Sequence, residues 1–320
     1  MEALLQERAT NLPNVVLSRT ARLLSSSTLK FWAWASLVSQ ILIVVTGGLV
    51  RLTASGLGCP TWPKCTDKDL TTVPAQGIHG LIEFSNRMLT FVLLVIAVAT
   101  IIVVFRKGVD RALRVRSMAL ILLLGIPAQA VLGGFTVWSK LNPWFVGAHF
   151  ILSAIMIVTA SVLVWRAYQP EVQIVPQLAF MVTPAVSVVG AITVVIGVLV
   201  TGAGPHAGDA QSVRNGLDLE TWFHYHSYPA YLLLILAVVQ FVALVRVDRV
   251  ETAGGPGGRH WGLPTRIVFG LVMTVVVQAI VGVAQARLGV PAGLVEVHML
   301  LASVLISMLT FNHLASRACR

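Results

Sequence analysis

The sequence predicts an all-α integral membrane protein with eight transmembrane helices, arranged as two pseudo-symmetric four-helix bundles. Its low charge, its eight long apolar segments and an internal repeat support this prediction. Of the 320 residues, 56% are hydrophobic and only 11% are charged, and the mean hydropathy is +0.83. Soluble domains carry about a quarter charged residues, and disordered chains are poor in apolar residues, so both classes are excluded.

Eight apolar segments are long enough to cross the hydrocarbon core of a bilayer, which takes about 20 helical residues. They span residues 31–50, 77–105, 117–138, 143–165, 176–201, 221–245, 265–286 and 292–313. Residues 1–30 lack a small-residue cleavage site behind a short apolar core, so we expect no removed signal peptide. We expect this polar segment and the tail 315–320 to be cytoplasmic.

The basic residues indicate the topology. With the N-terminus in the cytoplasm, 16 of the 23 Lys and Arg residues lie on the cytoplasmic side. The positive-inside rule then places both termini on the cytoplasmic side of a cell membrane. The net charge of +10 is therefore explained as an insertion signal, and we expect no nucleic-acid partner. Membrane lipid is the expected surrounding.

The second half of the chain repeats the first. Three matches occur in order, at offsets of 149 to 150 residues: 44–50 with 194–200, Gln129–Gly133 with Gln278–Gly282, and His149 with His298. Four helices separate the copies, so both copies have the same orientation in the membrane, as parallel repeats do. We predict an N-terminal bundle over 31–168 and a C-terminal bundle over 169–314.

Ionisable side chains inside apolar segments are costly and are candidates for function. In the expected topology eight of them lie toward the outer ends of their helices: His79, Glu83, Arg87, His149, His224, His226, Glu296 and His298. Histidines on facing helices can bind a haem iron from both sides, although a histidine bonded to a neighbouring helix is the alternative. Outside this set, we expect His206, His260 and His313 to be solvated and Cys319 to have no role.

Helices six and eight carry the best candidate pair. His298 can face His226 or His224, and only one of these two can point into the bundle, because they lie about 200° apart around the helix. Glu296 is similarly rotated from His298, so we expect it to face a neighbouring helix or the outer loop.

On helix two, Glu83 and Arg87 share one face, with His79 one turn earlier. The first interpretation is an ion pair that fixes a helix contact. The second is a substrate-handling carboxylate beside a second haem-sized site, with Arg87 holding a carboxylate of the ligand. The loop that precedes this helix contains Cys59 and Cys65 on the expected outer, oxidising side. A disulfide is favoured over a metal site because no further zinc ligands lie nearby, and a redox-active pair is the alternative.

These residues resemble a known family. Residues 49–60, LVRLTASGLGCP, with Trp62-Pro63 and Cys65, resemble the first helix and outer loop of heme A synthase. Glu83 with Arg87, the segment 129–134 and the three histidines 149, 226 and 298 match the same family in order. The resemblance covers residues 31–313, and the first motif is the specific part of it.

The resemblance implies an oxidoreductase that converts the C8 methyl of heme O to a formyl in two successive oxidations, giving heme A for terminal oxidases. It implies a resident heme b on His226 and His298 in the C-terminal bundle. It also implies a substrate site in the N-terminal bundle, with Glu83 as the catalytic carboxylate and His149 as an axial ligand. The Cys59–Cys65 pair matches one class of the family. The heme O-producing farnesyltransferase and the cytochrome oxidase assembly apparatus are the implied partners, and a homo-oligomer is left open.

Two positions depart from the family pattern. Asn86 stands where the family often has a histidine, so we expect the substrate haem to be held by His149 alone, with His79 as the alternative second ligand. Asn86, Arg87 and His79 are the expected contacts to the substrate haem. Ser227 replaces a frequent arginine, which keeps His224 open beside His226. The rival functions are a bis-His membrane cytochrome b that carries electrons without modifying haem, a transporter and a haem chaperone.

Overall fold

The structure is a computed structural model that describes residues 2–106, 114–171, 173–252 and 261–317, with side chains from Ser27 onward except in 249–252. His260 and Cys319, which the sequence analysis mentions, lie outside the described residues. Within the described ranges the protein contains eight long helices and one short 3₁₀ turn, Pro74–Gln76, before the second helix.

All eight helices are long and apolar enough to cross a membrane, which confirms the predicted multi-pass all-helical membrane protein. Their bounds are α1 Glu2–Leu52, α2 Gly77–Phe105, α3 Val115–Trp138, α4 Pro143–Tyr168, α5 Gln177–Ala203, α6 Leu219–Thr252, α7 Leu263–Arg287 and α8 Ala292–Ala315. The polar segment that precedes the first span is continuous with α1, and residues Ser27–Leu52 of that helix are long and apolar enough to cross a membrane.

Local sequence signals set several of the helix starts. Asn142 accepts a hydrogen bond from the Trp144 amide at 3.0 Å, with Pro143 as the first residue of α4. Proline suits this position because it lacks an amide hydrogen and has a fixed φ. Asp218 accepts the Thr221 amide at 2.8 Å before α6. Hydrogen bonds from the side chain and the amide of Thr221 lower the pKa of the Asp218 carboxyl.

The helix contacts divide into two matching sets. Each helix packs against the next within α1–α4 and within α5–α8, and α1 closes on α4 as α5 closes on α8. The two groups meet through α4 with α8, α1 with α8, and α4 with α5. Exchanging α1–α4 for α5–α8 leaves this pattern unchanged. On this ground we propose that 31–168 and 169–314 are the two repeated units.

The repeat extends into the backbone of two loops. Lys140 and Leu141, between α3 and α4, have φ of 56° and 60°, and Gly289 and Val290, between α7 and α8, have 75° and 60°. The amide of Leu141 donates to the Thr136 carbonyl at 2.8 Å. In the second loop the amide of Val290 donates to the carbonyl of Gln285, which is the repeat partner of Thr136, at 2.7 Å. A left-handed conformation is unusual for a β-branched residue, so the shared connection overrides the preference of Val290.

Close helix approach and a buried amide network hold the second group of helices together. Gly190 of α5 lies against Leu309 of α8, the small-residue contact that favours packing in membranes. Nearer the start of α5, Gln240 of α6 donates from Nε2 to Thr183 Oγ1 at 2.8 Å and to Asn312 Oδ1 at 3.0 Å. Asn312 Nδ2 donates back to Gln240 Oε1 at 3.1 Å. Both amide side chains are fully buried.

We predict that Gln240→Leu lowers the stability of the protein by about 1–3 kcal/mol, because the Asn312 amide keeps its burial and loses its main partner. Thermal unfolding in detergent measures this loss. The double variant Gln240→Leu, Asn312→Leu should regain part of it, because no buried amide is then left unpaired. Simple additivity of the two single losses would contradict the network.

Candidate functional site

His226 of α6 and His298 of α8 face each other across the interior of the second group of helices. Their ring centroids are 6.3 Å apart and the ring planes are inclined by 68°. Both Nδ1 atoms are buried and have no hydrogen-bond partner in the described part of the protein. His224, the alternative on α6, is exposed and stacks on Tyr228. The structure therefore pairs His226, and not His224, with His298.

Two glycines and one glutamine surround this pair. A Cβ atom placed on Gly197 of α5 would lie 3.0 Å from Cε1 of His226, and one on Gly282 of α7 would lie 3.3 Å from Cε1 of His298. Because glycine has no Cβ atom, there is room for both imidazoles beside the neighbouring helix backbones. Gln278 donates from Nε2 to the His298 carbonyl at 3.1 Å.

The first group of helices contains the same arrangement around His149 of α4. A Cβ on Gly133 of α3 would lie 3.4 Å from its Cε1. Gln129 donates to the His149 carbonyl at 3.4 Å and to Ser153 Oγ at 2.7 Å. Nδ1 of His149 is buried and lacks a hydrogen-bond partner among the described residues.

The second helix of each group distinguishes the two histidine sites. Asn86 of α2 has a buried Oδ1 without a partner in the described ranges, and α2 corresponds to α6, which carries His226. Gly47 of α1 matches Gly197 in the sequence repeat, yet a Cβ on Gly47 would meet no atom within 4 Å. Where the second group places an imidazole against a glycine, the first group has an asparagine and open space.

His226 and His298 would hold one metal ion between their rings. A metal–imidazole bond is about 2 Å long, and the ring centre lies about 1 Å beyond the nitrogen, so two imidazoles on one ion have centroids at most about 6 Å apart. The observed 6.3 Å agrees with this value. A haem iron is the group that two facing histidines of a helix bundle commonly hold, and the residues present fit it.

A loop covers one end of the first group of helices, and we call this end of the protein the disulfide side. Residues 53–73 form this loop, and it contains the buried Cys59–Cys65 disulfide with Cα atoms 4.4 Å apart. This confirms the predicted disulfide. Trp62 of the loop packs on Gly134 of α3 and contacts the Trp138 ring edge-on at 5.4 Å.

Glu83 and Arg87 of α2 hold the loop in place. Buried Glu83 accepts the Cys59 amide on Oε2 at 2.6 Å and forms an ion pair with Arg87 through Oε1. Arg87 donates to the carbonyl oxygens of Cys59 at 2.9 Å, Thr61 at 3.0 Å and Lys64 at 3.2 Å. The predicted shared face is present, and the ion pair fastens the loop to the helix.

The other candidate residues lie elsewhere. His79 is exposed and shares a hydrogen bond with Ser55 Oγ at 2.9 Å. Glu296 faces Gly48 of α1, as the expected rotation from His298 requires, but neither of its buried oxygens has a hydrogen-bond partner within the described residues. His313 is exposed, beside Ser187.

The expectation that His206 is solvated is wrong. Its Nε2 donates to the Val290 carbonyl at 2.8 Å, because the loop after α5 folds onto the connection between α7 and α8. Arg51, whose side chain bonds the Thr201 carbonyl, was missed because it lies just beyond the first predicted segment. The signal that could have found it is a cation at the end of an apolar segment.

We predict that Arg87→Gln loosens the loop over residues 53–73, because three carbonyl oxygens lose their donor and Glu83 loses its ion pair. Trypsin cleavage after Lys64 or Lys68 in detergent should become about tenfold faster, the effect of about 1.4 kcal/mol on loop opening. Lys140→Gln removes an exposed cation from another connection at the same end and serves as the control. Equal cleavage rates in both variants would contradict the assigned role of Arg87.

Comparison with known proteins agrees with this architecture. The model of a family described as cytochrome oxidase assembly protein matches residues 30–310. Proteins named heme A synthase are similar over part of the chain. The one from Halalkalibacterium halodurans is 29% identical over 44% of this chain and 47% of its own length. The one from Geobacillus thermodenitrificans is 32% identical over 40% of this chain and 39% of its own length. The one from Bacillus pumilus is 27% identical over 51% of this chain and 54% of its own length.

The aligned region thus spans about half or less of the length of these relatives. The family match is broader, because it includes all eight membrane helices and every residue of the two histidine sites. The chain belongs to the cytochrome oxidase assembly protein family.

Proposed function

We propose that this chain is a heme A synthase, an oxidoreductase that converts the C8 methyl group of heme O to a formyl group. The observation that carries the proposal is the unequal pair of sites on one duplicated scaffold. One site has two facing imidazoles, 6.3 Å apart, and the other has His149 with Asn86 and open space at Gly47. This difference suits a resident electron-transfer group in one site and an exchangeable substrate in the other.

The C-terminal site would hold heme b on His226 and His298. The bound heme b supplies one-electron redox chemistry. The protein contributes two imidazoles fixed by helix packing, with Gly197 and Gly282 leaving room for the rings. Gln278 bonds the backbone of His298 and so helps to fix the turn that carries this ligand.

The N-terminal site would bind heme O through His149 alone. Glu83 lies three residues before Asn86, on the same face of α2, and is the catalytic carboxylate of this proposal. Oxidation of a methyl group to a formyl removes four electrons in two steps and develops positive charge on the carbon. A nearby carboxylate stabilises that charge and can accept the released proton.

The hydrogen bonds around Glu83 suit this task. The Cys59 amide and Arg87 each bond one carboxylate oxygen, which fixes the orientation of the group. Oε1 accepts from both Nε and Nη2 of Arg87, so Oε2 is the oxygen that keeps a further lone pair for a proton or for the substrate. The ion pair can therefore both fix the loop and position the Glu83 carboxylate. All five N–H groups of Arg87 are bonded to Glu83 or to loop carbonyl oxygens, so Arg87 would have to exchange one of these bonds to hold a carboxylate of the ligand. Asn86, Arg87 and His79 remain the proposed substrate contacts.

We infer a plasma-membrane location with both termini in the cytoplasm and the disulfide side outward. The basic residues of the connections support this orientation, and a buried disulfide fits an oxidising compartment. The family description supports a role in oxidase assembly. The farnesyltransferase that makes heme O is the proposed supplier of substrate.

The test is identification of the haems extracted from the purified protein after expression in a host that supplies heme O. Chromatography and mass should show heme b together with heme A or a hydroxylated heme O. Heme b alone, in constant amount, would overturn the proposal in favour of a cytochrome b that only carries electrons. A purified protein that contains no haem would contradict both the heme A synthase and the electron-carrying cytochrome b.

We predict that Glu83→Gln lowers heme A formation at least about a hundredfold, the usual loss with a general base, because the amide cannot accept the proton. Heme b content should not change. Gln can still accept the Cys59 amide, so the loop stays in place, whereas Glu83→Ala should also loosen it. Asp69→Asn, an exposed change in the same loop, is the control. Wild-type heme A yield in Glu83→Gln would refute the catalytic role.

His298→Ala and His149→Ala form a matched pair, since the repeat relates the two positions. We predict that His298→Ala reduces bound heme b to less than about a tenth, because an imidazole–iron bond is lost. His149→Ala should retain heme b and lose bound heme O and heme A. Optical spectra and pigment extraction measure both. Loss of heme b from His149→Ala alone would reverse the assignment of the two sites.

A further inference from the structure

A cavity lies on the disulfide side of the His226–His298 pair and contains side chains from both groups of helices. Arg51 comes from α1 of the first group. The second group supplies most of the remaining wall, which includes Thr201, Phe223, Gln285, Val295 and Met299.

The cavity continues the interior of the histidine site. Phe223 precedes His226 by three residues and Val295 precedes His298 by three, so each lies about one turn, or 5 Å, from its histidine on the same helix face. Gln285 follows Gly282 by three residues on α7. Because these helices alternate in direction, all three steps lead toward the same end of the bundle. The cavity therefore adjoins the space between the two imidazoles.

The guanidinium of Arg51 is incompletely bonded at the edge of this cavity. Its Nη2 donates to the Thr201 carbonyl at 2.5 Å, while its Nε is buried and has no hydrogen-bond partner among the described residues. Gln285 Oε1, across the cavity, is also buried and unpartnered there. Buried donors and acceptors are nearly always bonded in native proteins. The Arg51 donor therefore indicates an accepting ligand, whereas the Gln285 oxygen needs a donor such as a water molecule.

The charge of the cavity indicates the sign of that ligand. Arg214 is close enough for its charge to act on Arg51, and it donates to the Ser212 carbonyl at 2.8 Å and to the Pro205 carbonyl. Neither arginine forms an ion pair within the described part of the chain, where Glu83 pairs with Arg87. The Glu296 carboxylate faces Gly48, one turn before Arg51 on α1, and has no hydrogen bond to Arg51. The half-buried guanidinium of Arg51 therefore has no bonded counter-charge, and an anion would supply one.

We propose that Arg51 binds a carboxylate on the edge of the haem that His226 and His298 hold. The inference rests on the proposed function, because that function places a haem, which carries two propionate carboxylates, between these histidines. Arg51 matches Thr201 in the repeat, so the first group supplies a cation that the second lacks. Arg51 is then a positioning residue through which one half of the protein helps to hold the resident group of the other.

The test compares binding of haem and of haem dimethyl ester, which lacks both carboxylate charges, to apoprotein made in a haem-deficient host. Wild-type protein should prefer haem by about tenfold or more, as expected for a hydrogen bond to a charged group. Arg51→Gln should lose most of this preference, and Arg51→Lys should keep much of it. Arg287→Gln removes an exposed cation from the last turn of α7 and should behave as wild type.

Equal binding of the two haems by the wild-type protein would overturn the inference and would indicate another anion, such as a lipid phosphate, at Arg51. An undiminished preference in Arg51→Gln would also overturn it. In both cases heme A formation, measured separately by pigment extraction, still reports on the proposed function. A wild-type protein that binds neither compound while His226 and His298 are intact would refute both.

Discussion

A polar group inside the hydrocarbon layer must be satisfied from within the protein, and this constraint organises the whole molecule. Most such groups are satisfied: Gln240 and Asn312 bond each other, and Glu83 and Arg87 bond the loop that covers them. Many of the exceptions recur at matching places. Among the described residues, buried atoms without partners occur on the second, third and fourth helix of each half, at the two candidate sites: Asn86, Gln129, His149, His226, Gln278 and His298. The others belong to Arg51, Ser212, Gln285 and Glu296.

The duplicated scaffold separates what is structural from what is specific to each site. Glycine, glutamine and histidine recur 149 residues apart on the third and fourth helices, and the connections between those helices share their backbone conformation. These shared features hold one imidazole in each half. The loop with the disulfide and the Glu83–Arg87 pair belongs to the first half. The duplicated helices therefore carry two sites of different residue composition.

Sequence reasoning could predict what depends on composition and local pattern. The eight spans followed from hydropathy, and the repeat identified the matching glutamines and histidines. The choice between His224 and His226 depended on the rotation of α6, which packing decides. Spacing showed that Glu83 and Arg87 share a face but not that both bond the backbone of a loop. The roles of Arg51 and His206 depend on contacts between distant segments, to which local sequence gives no access.

The replacement of an imidazole by Asn86 has a kinetic consequence under the proposed function. A haem bound by two protein ligands in a dry bundle leaves only when both bonds are broken, so its residence time extends over many catalytic cycles. A haem bound by His149 alone has one such bond to break. Substrate must enter and product must leave in every turnover, so a single imidazole in the N-terminal site favours exchange, whereas the second imidazole at His226 favours retention of the electron carrier.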